Sequence, residues 1–123
     1  MPLLNLDTHI LVHALTGDLR PAEESMLIEH DWGVAAIVFW ELAKLSQLGR
    51  LDVDLGDAEV QSVLASLHIW PLDLDVARAS IDLDFRGDPA DELIAATSVV
   101  HNIPLLTRDR QMLKSTRVPL ARQ

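Results

Sequence analysis

Residues 3–15 read LLNLDTHILVHAL, and this stretch indicates the fold class. Its first four residues form a short apolar run that predicts a β-strand, and Asp7 and Thr8 follow at once. Asp and Thr commonly begin helices, because their side chains accept hydrogen bonds from the first free backbone N–H groups. Residues 9–15 then supply the body of a helix. The stretch therefore predicts a strand that passes directly into a helix, as in α/β proteins.

The rest of the chain alternates between helical and extended segments in the same way. Helical spacing of apolar residues, with Pro, Asp or Gly at the ends, predicts helices over 22–30, 37–48, a segment capped by Asp57, 75–85 and 90–101. Short strands or extended segments are predicted at 33–35, 69–72, 103–106 and 117–120. Strands that alternate with helices favour a mostly parallel sheet covered on both faces. We therefore predict a single α/β domain over residues 1–123.

The composition excludes several classes of protein. Cysteine is absent, which rules out disulfides, zinc-thiolate sites and cysteine nucleophiles. The longest apolar run, residues 34–40, is far shorter than the roughly 20 residues that a membrane span needs. The N-terminus carries Asp7 and lacks a basic leading region, so we expect no signal peptide, no membrane partner and a cytoplasmic location.

The charge balance is strongly acidic. The net charge is −9, from 19 acidic and 10 basic side chains. This argues against a general nucleic-acid binder, because counterion release from phosphates needs a basic surface. It is compatible with a protein that commits several acids to cations and clusters its few Arg and Lys residues. A basic partner segment would also suit such a surface.

Two carboxylates directly follow predicted strands. Asp7 follows the first strand, and Asp109 comes shortly after the apolar pair Leu105-Leu106. In open α/β sheets, ligands gather at the carboxyl ends of the strands, so both acids are candidates for a functional site. The alternative for each is helix capping, which Asp does commonly.

Glu41 is a third candidate, because its predicted helix places it on an apolar face. Ile37, Glu41, Leu45 and Leu48 lie three or four residues apart and share that face. An ionised carboxylate on a buried stripe is costly unless it is paired or bound to a metal. The alternatives are a salt bridge, for which Lys44 lies within one turn, or a position at the edge of the stripe.

Asp91 begins the predicted helix that follows the turn at 87–89. Asp88 and Glu92 lie within the same turn, and any of these acids could stabilise the helix N-terminus. The local sequence does not choose among them. If the candidate acids converge, like charges cannot all stay ionised without cations, and Mg²⁺ resolves this with carboxylate, water and phosphate oxygens. Such a metal-held water is the chemistry of phosphodiester hydrolysis.

Several short segments occur in a characteristic order and spacing across essentially the whole chain. They are 6–11 (LDTHIL), 40–43 (WELA), 49–51 (GRL), 88–91 (DPAD) with 93–95 (LIA), and 106–109 (LTRD). Together they resemble PIN domains, in particular the toxin-type ribonucleases of the VapC kind. The resemblance implies a three-layer α/β/α fold, Mg²⁺ or Mn²⁺, and cleavage of RNA. It also implies a homodimer and neutralisation by a cognate VapB-type antitoxin.

The resemblance also implies which residues form the site. The catalytic and metal-binding acids are expected to be Asp7, Glu41, Asp91 and Asp109. This selects Asp91 over Asp88. Thr107 matches a hydroxyl that is expected to support the metal-binding acids without binding the metal itself.

Three positions depart from the family pattern and concern the handling of substrate. Glu92 stands where Arg is usual, Arg86 where His is frequent, and Ala90 where an aromatic residue is usual. Arg86, Arg108 and Arg110 are candidates for contacts to a phosphate. The alternative for each is a solvated surface arginine.

Two other functions fit part of the pattern. A phosphoacceptor receiver domain shares the length, the acidity, the use of Mg²⁺ and the parallel sheet. Against it, Asp7 has no acidic neighbour and Lys114 lies in a helical stretch. An inactive PIN-like interaction module would agree with Glu92 and the acidic surface.

Overall fold

A four-stranded, all-parallel sheet forms the centre of the computed structural model, which describes residues 1–122. The strands are β1 (Leu3–Leu6), β2 (Asp31–Ala35), β3 (His68–Trp70) and β4 (Leu105–Leu106). Their order across the sheet is β3-β2-β1-β4. Asn5 of β1 pairs with Gly33 of β2 and with Leu105 of β4, so β1 is a central strand. The parallel α/β architecture that the sequence predicts is confirmed.

Over residues 1–122, seven helices surround this sheet. They are α1 (Thr8–Thr16), α2 (Pro21–Ile28), α3 (Ile37–Gln47), α4 (Ala58–Ser66), α5 (Leu74–Ile81), α6 (Pro89–His101) and α7 (Arg110–Leu113). Asp side chains cap several of them: Asp57 accepts hydrogen bonds from the first turn of α4, and Asp73 accepts one from the first turn of α5. None of the helices within residues 1–122 is long and apolar enough to cross a membrane.

Both faces of β1 are covered by other elements. Leu4, Asn5 and Leu6 are each 0% exposed, although consecutive residues of a strand point to opposite faces. Leu4 and Leu6 belong to the main apolar cluster, whereas the side chain of Asn5 contacts α6. The protein therefore has three layers, with the sheet in the middle.

Two predicted elements near the C-terminal end of the sequence differ from the structure. The helix predicted over 75–85 ends at Ile81, because Asp84 bonds instead to Ser115 Oγ (2.6 Å) and Thr116 N (2.8 Å). The strand predicted over 117–120 is reduced to one bridge between Leu105 and Leu120. Proline at position 119 has no N–H group with which to extend a strand ladder.

Candidate active site

Asp7 lies at the carboxyl end of β1, beside β4, and is only 3% exposed. Its backbone N–H donates to Leu106 O (3.1 Å), which fixes it at this edge of the sheet. Its Oδ1 accepts from Thr8 N (2.8 Å), and its Oδ2 accepts from the Thr107 hydroxyl (2.7 Å). Burial raises the pKa of Asp7, although the bond from Thr107 opposes this.

Thr107 joins two of the predicted acids through one hydroxyl group. Its Oγ1 donates to Asp7 Oδ2 and accepts from the backbone N–H of Asp109 (3.0 Å). Asp109 in turn caps α7, with its Oδ1 accepting from Gln111 N (2.9 Å) and Met112 N (3.1 Å). Asp109 is thus both a helix cap and a neighbour of Asp7, whose pKa it raises.

Glu41 reaches the same region from α3 and is half-buried. Its Oε1 accepts a hydrogen bond from the Thr8 hydroxyl. Burial raises the pKa of Glu41, and the nearby Asp88 and Asp7 raise it further. Within residues 1–122 it forms no salt bridge, and Lys44 instead donates to the side chain of Gln47 (3.1 Å).

The predicted apolar stripe on α3 was only partly right. The buried residues of this helix are Val38 and Leu42, whereas Leu48 is 62% exposed. Glu41 therefore lies at the border of the buried face and not in the middle of it. Its carboxylate is half-buried because it faces the other acids and Thr8.

Asp91 occupies the first turn of α6, three residues after the N-cap. Asp88 is that cap, and its Oδ1 accepts from Asp91 N (2.8 Å). Asp88 is exposed, whereas Asp91 is half-buried. Burial, together with repulsion from the neighbouring carboxylates of Asp88, Asp7, Glu41 and Asp109, raises the pKa of Asp91 to about 7. The structure thus brings Asp7, Glu41 and Asp109 within electrostatic reach of Asp91, with Asp88 beside them.

This set of carboxylates suits a hard divalent cation. Clustered carboxylates offer the oxygen ligands that Mg²⁺ and Mn²⁺ accept, and a cation relieves the repulsion that raises their pKa values. Over residues 1–122, however, no three Asp, Glu or His side chains are gathered at ligand distance. The acids are grouped for a cation without forming a closed cage.

Arg108 does not point to a free phosphate-binding position, which corrects the expectation from the sequence. Its Nε and Nη2 donate to the two oxygens of Glu23 (2.7 and 2.6 Å), and Nη2 also donates to Asp18 O (3.1 Å). Its Nη1 donates to His13 Nε2 (3.1 Å). The ion pair with Arg108 lowers the pKa of Glu23, which is buried. Arg108 therefore joins the β4–α7 loop to α2.

Arg86 and Arg110 are both exposed. Arg86 donates through Nη1 to Leu83 O (3.1 Å) and Phe85 O (3.0 Å), so it folds over its own loop. Arg110 is the first residue of α7, directly after Asp109. Both remain candidates for contacts to a phosphate.

Two contributors were missed at the sequence level. The sequence indicates only a helix-capping role for Thr8, yet its hydroxyl bonds to Glu41. Gly87 lies against Asp91, since a Cβ at position 87 would be 3.3 Å from Asp91 Cβ and 3.6 Å from its Oδ2. The turn signal at Gly87-Asp88-Pro89 was visible in the sequence, but its contact with Asp91 depends on the folded loop.

A comparison with known protein families identifies the family of this domain. The model of the PIN domain family matches residues 5–118. The chain belongs to the PIN-domain family. A curated relative, Ribonuclease VapC22 from Mycobacterium tuberculosis (strain ATCC 25618 / H37Rv), is 35% identical over 129 aligned positions. That alignment covers 97% of this chain and 95% of the relative.

Solved structures share the fold of this PIN domain. VapBC2 from Rickettsia felis, crystallised with a promoter DNA fragment, matches with a TM-score of 0.71 and 19% identity, covering 97% of each chain. FitAcB from Neisseria gonorrhoeae matches with a TM-score of 0.71 and 22% identity, covering 97% of this chain and 96% of that one. Membership of the PIN family argues against the phosphoacceptor receiver alternative.

Proposed function

We propose that this PIN domain is an endoribonuclease that hydrolyses RNA phosphodiester bonds with Mg²⁺ or Mn²⁺. One observation carries the proposal: carboxylates from four separate segments, among them Asp7 and Asp91, lie at one edge of the sheet. None of these carboxylates forms a salt bridge among the described residues, and burial with the neighbouring acids raises the pKa of Asp91 to about 7. The 35% identity to Ribonuclease VapC22 supports RNA as the substrate.

In this proposal the acids divide the work. Asp7 and Asp109 would hold the cation, and the Thr107 hydroxyl fixes both residues through its hydrogen bonds. Glu41 and Asp91 would complete the site and orient the attacking water. When bound, the cation neutralises the carboxylates and stabilises the charge that develops on the phosphate. Arg86 and Arg110 contact the RNA phosphates.

We further propose that the enzyme is a cytoplasmic toxin, a homodimer, and the partner of a VapB-type antitoxin. The VapBC2 and FitAcB structures with the same fold support such a partner. A groove of about 500 Å³ between α1, α4 and the segment that precedes α4 offers a docking surface. Its apolar floor includes Leu15 and Val63, and its rim carries Asp52, Asp57 and Glu59. An acidic rim around an apolar floor fits a basic amphipathic segment.

The experiment that tests the enzymatic proposal compares three proteins on structured RNA with Mg²⁺ or Mn²⁺. We expect the parent protein to cleave, and EDTA to stop it. Asp7→Asn should lower the rate by more than about 100-fold, since a direct ligand matters more than its supporting residues. The matched control Asp75→Asn changes an exposed Asp on α5 and should cleave like the parent.

Two outcomes would contradict the proposal in different ways. If Asp7→Asn cleaves as fast as the parent, the four-acid mechanism is wrong. If the parent is inert on varied RNAs with both metals, the inactive PIN-like interaction module is the better description.

A further inference from the structure

Asn5 is a buried polar residue that the sheet itself does not require. It lies in the middle of β1 at 0% exposure, between the fully buried Leu4 and Leu6. Its backbone N–H is already paired with Pro104 O (2.9 Å). Its side chain instead points to α6, where Nδ2 donates to Ser98 Oγ (2.8 Å) and Ile94 O (3.1 Å). The side chain therefore forms a directional link between a strand and a helix.

This link has an energetic cost. Asn5 Oδ1 is buried and has no hydrogen-bond partner among the described residues. An unsatisfied buried acceptor destabilises the folded state, and a leucine at this position would avoid that cost. Stability alone thus gives no reason for asparagine here. Departures of this kind occur at functional sites, where geometry is favoured over stability.

The two ends of the link lie close in sequence to two of the candidate acids. Asn5 precedes Asp7 by two residues on the same strand, and Ile94 follows Asp91 by three residues on the same helix. Ile94 and Ser98 are one helical turn apart, so two bonds from one amide restrain both the sliding and the rotation of α6. Apolar packing of α6 alone is non-directional and permits such movement.

We infer that Asn5, through Ser98 and Ile94, is a positioning residue that holds Asp91 at a fixed distance from Asp7. The inference rests on the proposed function, because it assumes that these two acids act together. Without a cation the two carboxylates repel each other, and repulsion would move the start of α6 away from β1. The link keeps the acids together before the cation arrives, which is how a preorganised site gains affinity.

The test is the double substitution Asn5→Leu/Ser98→Ala, which removes both side chains of the link and leaves no polar group unpaired. We expect its free energy of unfolding to be equal to or greater than that of the parent. Its affinity for Mn²⁺, measured from the EPR signal of the free ion, should fall at least about 10-fold. Its kcat for RNA should fall by a similar factor while KM changes little.

Two further variants serve as controls. Ser98→Ala alone keeps the bond to Ile94 O, so its loss of Mn²⁺ affinity should be smaller, and it tests the inference if the double variant fails to fold. Thr97→Val removes a buried hydroxyl from the same helix, but one that bonds only within α6, to Leu93 O (2.8 Å). We expect its Mn²⁺ affinity and kcat to match those of the parent.

The inference is overturned if the variants without the link bind Mn²⁺ as tightly as the parent. It is also overturned if affinity and stability fall in step, or if Thr97→Val behaves like Ser98→Ala, because the role is then structural. In those cases the result with Asp7→Asn still stands. If the parent neither binds Mn²⁺ nor cleaves RNA, the proposed function fails and the inference fails with it.

Discussion

At Asp109 a single carboxylate serves two purposes, because its two oxygens can have different partners. One oxygen caps α7 through Gln111 N and Met112 N, while the residue also lies near enough to Asp7 and Asp91 to raise the pKa of each. Asp7 similarly accepts from Thr8 N at the start of α1. Helix capping and membership of the site are therefore compatible for these acids, although the sequence presents them as alternatives.

Asp91→Asn should stabilise the protein in EDTA. The pKa of Asp91 is raised from 3.8 to about 7 by burial and by neighbouring acids. A raised carboxyl pKa contributes stability that is present below pH 3.8 and is lost as pH rises through about 7. The melting temperature of the variant should therefore exceed that of the parent little at about pH 4.5 and clearly at about pH 8.

Divalent cations supply the control for this prediction. Saturating Mg²⁺ should raise the melting temperature of the parent but not that of Asp91→Asn, since only a native site that binds the ion is stabilised by it. The same measurements on the exposed variant Asp75→Asn should reproduce the parent. A parent that is more stable than Asp91→Asn in EDTA at about pH 8 would contradict the prediction.

At the residue scale, the sequence predicts where the candidate residues lie better than it predicts which residues they contact. Asp7 and Asp109 could be placed because parallel strands end at one edge of a sheet. The choice of Asp91 over Asp88 needed the family resemblance, since both fit a helix N-terminus and differ in burial, which is a tertiary property. The predicted phosphate contact of Arg108 is wrong because its partner Glu23 is 85 residues away in sequence.

At the scale of elements, the Arg108–Glu23 pair anchors the β4–α7 loop to α2. The side chains are 23% and 8% exposed, so Arg108→Ala would leave a buried carboxylate without its partner. We expect a loss of about 2–4 kcal/mol in the free energy of unfolding, measured by urea denaturation. The neighbouring exposed variant Arg110→Ala should lose less than about 0.5 kcal/mol. Equal losses for the two variants would show that the pair does not anchor the loop.

The loop before α6 is held by a second contact, which should be sensitive to acid. Bonds from Ser115 and Thr116 lower the pKa of Asp84 from 3.8 to about 2. A lowered carboxyl pKa contributes stability that is present above pH 3.8 and is lost as pH falls through about 2. We expect the amide resonance of Thr116 to titrate with an inflection near pH 2 in the parent and to show no such inflection in Asp84→Asn. An inflection near 3.8 would contradict the prediction.

The same contact of Asp84 explains why the predicted C-terminal end of α5 is wrong. Helical spacing continues past Ile81, but Asp84 finds its partners 31 and 32 residues later, and the helix ends before it. On α3 the error has another cause. Apolar residues occur on several sides of its first turns, so spacing alone does not decide that Val38 and Leu42 are the buried pair.

For the whole molecule, the net charge of −9 should matter most at the groove of about 500 Å³ between α1 and α4. A synthetic amphipathic helix of Leu and Arg should bind there, as measured by fluorescence anisotropy. Asp52→Lys/Glu59→Lys reverses two charges of the rim and should weaken binding at least about 10-fold. Glu29→Lys/Asp75→Lys makes the same change in net charge away from the groove and should weaken it far less. Equal weakening by both double variants would mean that the attraction is general and not local.

The proposed activity also depends on the pairing of β1 with β4. The bond from Thr107 to Asp7 spans 100 residues of sequence, and β4 itself is only two residues long. A chain in which β4 has frayed, or from which a protease has removed the segment beyond α6, loses the buried Leu105 and Leu106 from its apolar core. It no longer has Asp109 or the Thr107 hydroxyl in place. RNA cleavage would therefore require this edge of the sheet to be folded. A local opening of the edge would end the activity before the rest of the domain unfolds.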